Sequence, residues 1–392
     1  MEEKPRSRIV CLSDIFDQHY HDLRSERVLR CLTTPYRSDL FNCLEKASGR
    51  EVVVLSSPPK AAERRTAKWL PPTETKFSRH RQLFCANWDV PKLRVPLAWI
   101  SYARHVQRHV RSGDLVVMDS YEFLQVVAAR FVQMFRRVKF VLVYLDGRHL
   151  IDRGWARVLT GLAELWGRRL FSGAILSTPA LGERLPRSMP KELVPGFIML
   201  KSPPVHAPDE NVRFLYSGTL ASSHGIDLLL EALKLLPKHG WYLTIAGQGP
   251  LTAQAARLSS ESQWSSRVKY LPTMSPGAFE QLLKVSHVGL NCQRASAPLS
   301  SVTFPSKIFT YLSAGLLVIS SKSGCVESVC GNACLYYAGE TPQALAAAMS
   351  EIITNFDAVS RKLDRTNITE RYSMEAIAAR LEIFLAMVEA PR

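Results

Sequence analysis

Phe304-Pro-Ser-Lys307 stands where a loop runs into a short helix, and its residue types can hold a phosphate. Pro305 suits the first helical position, because the N–H it lacks is one that no helix carbonyl would take. Ser306 and Lys307 then bring a hydroxyl, a cation and unpaired backbone amides to the helix N-terminus, where the partial positive charge of the peptide dipoles collects. Ile308, Tyr311 and Leu312 form an apolar side at helical spacing, and Gly315 stands where a left-handed residue would release the chain. Leu316 to Ile319 follows as an apolar run short enough for a buried parallel strand. The stretch predicts a helix that packs on one side and turns its N-terminus to an anionic ligand of the sugar-nucleotide kind.

Two glycine loops share that character. Ser217-Gly-Thr-Leu-Ala-Ser-Ser-His-Gly225 follows the predicted strand Arg213–Tyr216, and Gly247-Gln-Gly-Pro250 follows the strand Trp241–Ala246. Alone, each reads equally well as an ordinary strand-to-helix turn. Three such loops in register are harder to dismiss, because ligands of open parallel sheets sit beyond the carboxyl ends of the strands. Further strands at Val268–Leu271 and Val288–Asn291 alternate with helices at 251–259 and Pro276–Val285, and Met374–Val388 reads as a C-terminal helix.

The N-terminal half also alternates: strands at Arg8–Ser13, Glu51–Leu55, Asp114–Met118, Phe140–Tyr144 and Ala174–Ser177, with a helix at 36–48. Residues 60–95 read as one long loop, and the proline-rich stretch from Pro186 to Pro208 as the connection between halves. The expected division is an acceptor-binding domain over 1–195, a hinge over 196–210, a donor-binding domain over 211–372 and a returning helix over 373–392.

The 392 residues carry a net charge of +15, and residues 1–200 hold +13 of it. Segments such as Arg104–Arg111, Arg136–Lys139 and Trp155–Phe171 mix cations with Trp and Leu, a pairing that suits an anionic membrane surface. In the last of these, Leu159, Leu162, Trp166 and Leu170 form a helical stripe that reads somewhat better as core packing. Zinc-finger spacing, aromatic RNA-binding signatures and a helix-turn-helix pattern are missing, so charge alone would argue for nucleic acid, and none is expected as a partner. No apolar run reaches the roughly 18 residues that a spanning helix needs. The start Met-Glu-Glu-Lys-Pro-Arg lacks the apolar segment of a signal peptide, so a cytoplasmic chain is expected. The eight cysteines form no CxxC pair, which fits reduced thiols and no metal site.

With those motifs in order, the C-terminal half resembles the donor domain of family 4 glycosyltransferases. The resemblance rests on Phe214-Leu-Tyr-Ser-Gly-Thr-Leu220 with Gly225-Ile-Asp-Leu-Leu-Leu-Glu-Ala232, then Leu243–Pro250, then Val268-Lys-Tyr-Leu271, then Phe304–Lys307 with Tyr311-Leu-Ser-Ala-Gly315. In the N-terminal half, Tyr144-Leu-Asp-Gly-Arg-His149 resembles an acceptor-side loop of some bacterial polysaccharide transferases. The resemblance implies an α/β protein of GT-B architecture, with two Rossmann-like domains facing across a cleft and a C-terminal helix returning to the first.

It further implies retaining transfer of a sugar from a nucleoside diphosphate to a hydroxyl of a glycan or lipid-linked acceptor, in surface polysaccharide or glycolipid assembly. The nucleotide sugar would be a substrate rather than a cofactor, and no metal would be required. Gly218, Thr219, His224, Gly247, Gly249, Tyr270, Phe304, Pro305, Ser306, Lys307, Thr310, Gly324 and Glu327 would line the donor site. Asp146 and His149, with Lys307, would carry catalysis; for the first two a strand-end loop satisfied by local hydrogen bonds reads equally well. Many relatives hold the diphosphate with an Arg and a Lys where this chain has Thr219 and His224. They also carry two glutamates eight positions apart where it has Val302 and Thr310. A neutral hydroxyl makes a weaker bond to ribose than a carboxylate. A non-catalytic subunit that stabilises a partner transferase is therefore the alternative reading.

Overall fold

The computed structural model describes residues 7–13, 34–56, 68–90, 93–119, 121–145, 147, 154–200 and 210–391. The chain divides into two compact units, one formed by residues 1–194 with 374–392 and the other by residues 195–373.

The first unit runs β1 (Ile9–Leu12), α1 (Thr34–Ser48), β2 (Val52–Ser56), β3 (Lys68–Leu70), β4 (Thr73–Phe77), β5 (His80–Phe84), β6 (Asn87–Asp89), α2 (Arg94–His109), β7 (Leu115–Asp119), α3 (Phe123–Phe135), β8 (Lys139–Tyr144), α4 (Gly154–Gly167), β9 (Phe171–Leu176), α5 (Pro179–Glu183) and β10 (Lys191–Leu193). Its sheet has the order β10-β9-β8-β7-β1-β2-β5-β4, parallel except for the β4–β5 pair. The central strands are continuous Val, Ile and Leu runs buried along their whole length, as strands covered on both faces must be.

The long loop expected over 60–95 is corrected here, because residues 68–89 hold four short strands. Two of them close the sheet as a hairpin across Ser78 at φ 56°, and two form a separate ribbon with Trp69 opposite Trp88. Strands of three to five residues give too brief an alternation to separate from a polar loop. The proline-rich connection is also partly sheet, since β10 lies inside it.

The second unit runs β11 (Val212–Ser217), α6 (Ile226–Ala232), β12 (Trp241–Ala246), α7 (Thr252–Ser260), β13 (Val268–Leu271), α8 (Pro276–Lys284), β14 (Val288–Asn291), α9 (Lys307–Ser313), β15 (Leu317–Ser321), α10 (Gly324–Cys330), β16 (Leu335–Tyr337), α11 (Pro342–Lys362) and α12 (Thr366–Arg371). All six strands are parallel, in the order β13-β12-β11-β14-β15-β16. That is the doubly wound order, and it reverses between β11 and β14, leaving a crevice beyond their carboxyl ends. Trp241, Phe214, Ile245, Leu290 and Ile319 fill the core around it, each contributing about 1.5–3 kcal/mol relative to exposure.

The last helix, α13 (Met374–Glu389), belongs to the first unit. Ile377, Leu381, Phe384 and Leu385 are buried. Arg50 grips Glu389 through two bonds of 2.5 and 2.7 Å, Arg380 pairs with Glu192 at 2.7 Å, and Lys139 donates to the carbonyls of Val388 and Ala390. A cation on those final carbonyls also meets the negative end of the helix dipole.

Gly173 in β9 is the contact that leaves no room: a Cβ there would stand 2.5 Å from Val388 and 2.9 Å from Phe384. Gly173→Val should therefore destabilise the first unit by about 1–3 kcal/mol, as overpacking does, read as a lower urea midpoint. Gly277→Val, on an open surface, serves as the control.

Candidate functional site

Beyond the carboxyl ends of β11 and β12, Gly218, Gly247, Gly249, Tyr270, His224 and Lys307 stand close to one another. After β11, Gly218 takes φ 133° and faces Lys307, whose amine would be 3.1 Å from a Cβ at that position. Gly247, after β12, takes φ 140°, and a Cβ there would overlap the Gly218 carbonyl. Gly249 leans on the backbone of Leu220 in the same way. At Gly218 and Gly247 only glycine permits both the positive φ and the close approach. The Tyr270 hydroxyl donates to the Gly247 carbonyl at 3.1 Å and holds that loop from the next strand.

The helix that follows starts two residues later than the spacing predicts. Lys307 is its first residue and Ser306 the capping residue, so Pro305 lies ahead of the helix rather than in its first position. The reason is a tight opening turn, in which the Ile308 N–H bonds to the Pro305 carbonyl at 3.0 Å. The exit is as expected: Gly315 adopts φ 79°, and the N–H groups of Leu316 and Gly315 bond to the carbonyls of Tyr311 and Leu312. This double bond pattern closes the helix C-terminus.

Lys307 is the centre of the site. Its Nζ is shut off from solvent and makes no hydrogen bond, and it lies 4.1 Å from the ring centre of Tyr216. Desolvation lowers its pKa to about 8, against a smaller upward pull from Cys292. The Tyr216 ring supplies a cation–π contact, while its hydroxyl donates to the Thr219 carbonyl at 2.8 Å. His224 is half-buried, and burial, reinforced by the charge of Lys307, holds its pKa below the usual value. It is therefore neutral near pH 7 and can donate one N–H.

Of the other expected residues, Phe304, Thr310 and Glu327 have contacts of their own. Phe304 is buried and packs its ring against Phe309 at 4.9 Å. Thr310 sets its hydroxyl 3.4 Å from the Ser306 carbonyl. Glu327 is exposed and pairs with Lys322 at 3.3 Å, and Gly324 opens α10 beside open space. Asp146 and His149 lie outside the described residues. Among the described residues no group of three or more metal-ligating side chains gathers.

Arg294 escapes sequence reading because it sits in an irregular stretch with no periodicity. It donates to Asp227 at 2.7 Å and to the Ser222 carbonyl at 3.0 Å, and lies 3.6 Å from Glu340. Ser296 anchors the same Glu340 through its N–H and hydroxyl. Arg294 thus fixes the turn that carries His224. Gly225 is needed beneath it, since its φ is 68° and a Cβ would overlap the Cys292 carbonyl.

Residues 211–355 match the model of the family described as "Glycosyl transferases group 1". No curated protein matches the chain in sequence. Among solved structures, HepE from Anabaena in complex with UDP is 13% identical, with a TM-score of 0.67 over 97% of this chain and 99% of that one. Sucrose-phosphate synthase from Thermosynechococcus elongatus is 16% identical, with a TM-score of 0.66 over 98% and 99%. The lipopolysaccharide outer core galactosyltransferase WaaB in its apo form is 13% identical, with a TM-score of 0.63 over 96% and 99%. At these identities the structures carry the fold, GT-B with its two Rossmann-like domains.

The buried amine has a consequence for stability. Its folded pKa, about 8, lies below the ordinary 10.5. Below pH 8 both folded and unfolded states hold the proton and the fold bears the full desolvation cost. As pH rises from about 8 to 10.5 the native state sheds that proton first, so stability from this group increases. Urea midpoints of Lys307→Met should lack this rise, and should match or exceed those of the parent at neutral pH.

Proposed function

We propose that this protein, whose C-terminal unit is a group 1 (family 4) glycosyltransferase domain, moves a sugar with retention from a nucleoside diphosphate to a hydroxyl of a glycan or lipid-linked acceptor. It does so in surface polysaccharide or glycolipid assembly, as a cytoplasmic protein peripheral to the inner membrane face. The observation that carries the reading is the unpartnered, desolvated amine of Lys307 at the sheet's reversal point.

The chemical problem is the departing diphosphate, which gains negative charge as the bond to the sugar breaks. A cation about 4 Å from a phosphate charge is worth about 4 kcal/mol at an effective dielectric of about 20. A neutral hydrogen bond nets about 1 kcal/mol. Lys307 therefore outweighs His224, Thr219 and Thr310, and it compensates for the Arg and Lys that many relatives place in the loop after the first donor strand. Gly218, Gly247 and Gly249 let backbone approach the phosphates, neutral His224 donates an N–H, and Ser306 adds a hydroxyl at the mouth. Tyr270, Phe304, Pro305, Thr310, Gly324 and Glu327 frame the nucleoside, with Thr310 or Glu327 meeting the ribose. Asp146 and His149 orient the acceptor hydroxyl. HepE has been solved with UDP, which makes UDP the first nucleotide to try.

The second reading, a subunit that stabilises a partner transferase without turning over itself, is favoured by Thr219, His224, Val302 and Thr310 standing where charged residues are usual. A thermal-shift screen against UDP, GDP, CDP, ADP, dTDP and their sugar conjugates separates the two, because a ligand that binds only the folded state raises its stability. The first reading expects a shift with one base that Lys307→Ala removes, and a fall in kcat of about 10²–10³ in that variant. A folded protein that responds to none, and that co-purifies with an active transferase, would support the second.

A further inference from the structure

We infer that α3 and α4 form a lipid-docking face by which the N-terminal unit rests on an anionic bilayer; this builds on the reading of a lipid-linked acceptor. The observation is an inverted helix. In α4 the buried positions are the small ones, Thr160, Ala163 and Gly167, and Gly167 sits so close to Tyr121 that a Cβ would approach its ring to 2.9 Å. The large apolar residues point outward. Trp155, Val158, Leu162 and Leu165 recur at three- and four-residue steps and are exposed, Trp155 by 83% and Leu165 by 60%.

The core packing read for Leu159, Leu162, Trp166 and Leu170 is thereby corrected: Leu170 is buried, but Leu162 and Trp166 are exposed by 37% and 48%. Helical spacing finds a stripe without saying which side of it meets the sheet. The neighbouring helix extends the patch with Met134 and Phe135, exposed by 76% and 62%. The helices are joined, since Arg130 of α3 donates to the Trp166 carbonyl at 2.6 Å and Phe123 packs on Trp166. Large apolar side chains exposed together on two joined helices mark an interaction site.

Charge selects the occupant. Arg157, Arg168 and Arg169 are exposed beside the stripe, and Arg137 follows α3. Glu164 is the only acid in the two helices, and it is turned away to Tyr144 and Arg184. A second copy meeting the same patch would bring arginines against arginines. Anionic lipid headgroups bring the opposite charge, while Trp and Leu enter the acyl boundary and arginines remain at its surface.

Co-sedimentation of the full chain with vesicles tests this. Vesicles of phosphatidylcholine with phosphatidylglycerol should bind the protein, in a salt-weakened manner, and vesicles of phosphatidylcholine alone should bind it far less. Trp155→Ser/Leu165→Ser should bind at least about tenfold more weakly with an unchanged melting temperature; Met134→Ser/Phe135→Ser repeats the test on α3 should the first pair fold poorly. Failure of the parent to bind, equal binding by the folded variants, or a dimer that those substitutions dissolve would each overturn the inference. The vesicles hold neither donor nor acceptor, so such a failure leaves the donor-site reading intact. That reading stands or falls separately on the nucleotide shift and its loss in Lys307→Ala.

Discussion

An amine buried without a hydrogen-bond partner is the constraint around which the second unit is arranged. Removing an ammonium from water is costly unless charge or dipoles return part of that energy. In the protein alone, Lys307 has the π-face of Tyr216, and its pKa falls to about 8. A diphosphate would supply what is missing. The site is thus electrostatically unfinished without an anion, and its preorganised charge is most useful where negative charge develops.

Holding that amine in place requires backbone to come unusually close on all sides. Gly218 yields space to Lys307, Gly247 to the Gly218 carbonyl, Gly249 to Leu220, and Gly225 to Cys292. Tyr311 fixes the helix behind Lys307 by receiving the Ser217 N–H at 2.9 Å, so the first strand of the domain and the lysine-bearing helix are tied directly. Arg294 performs the matching task for the His224 turn. Sheet topology brings these loops to one end, and glycines let them nest there.

Much of this was legible because parallel buried strands are written as short apolar runs, and β12, β13 and β14 were delimited from sequence alone. The last helix is legible in its own apolar spacing, whereas its return to the first unit follows only from the family resemblance. Pro305 lies two positions ahead of the first helical residue rather than at it, since the opening turn depends on a backbone bond that composition does not encode. The strands within 68–89 were too short to announce themselves. Arg294 acts through partners 67 and 46 positions away in the chain, and no local pattern reports that. The outward turn of α4 was hidden for another reason: small residues at Thr160, Ala163 and Gly167 decide which side packs, and hydrophobicity alone favours the other.

The most direct test of the central claim follows the lysine amines themselves. Protein carrying ¹³C at the lysine ε-carbons is titrated by NMR without and with UDP, GDP, CDP, ADP or dTDP in turn, and Lys307→Arg identifies the resonance. The account predicts one lysine titrating near pH 8 in the protein alone, with its pKa raised to the ordinary lysine range or above when the diphosphate is bound. Lysines that all titrate normally, or a depressed lysine indifferent to every diphosphate, would contradict it.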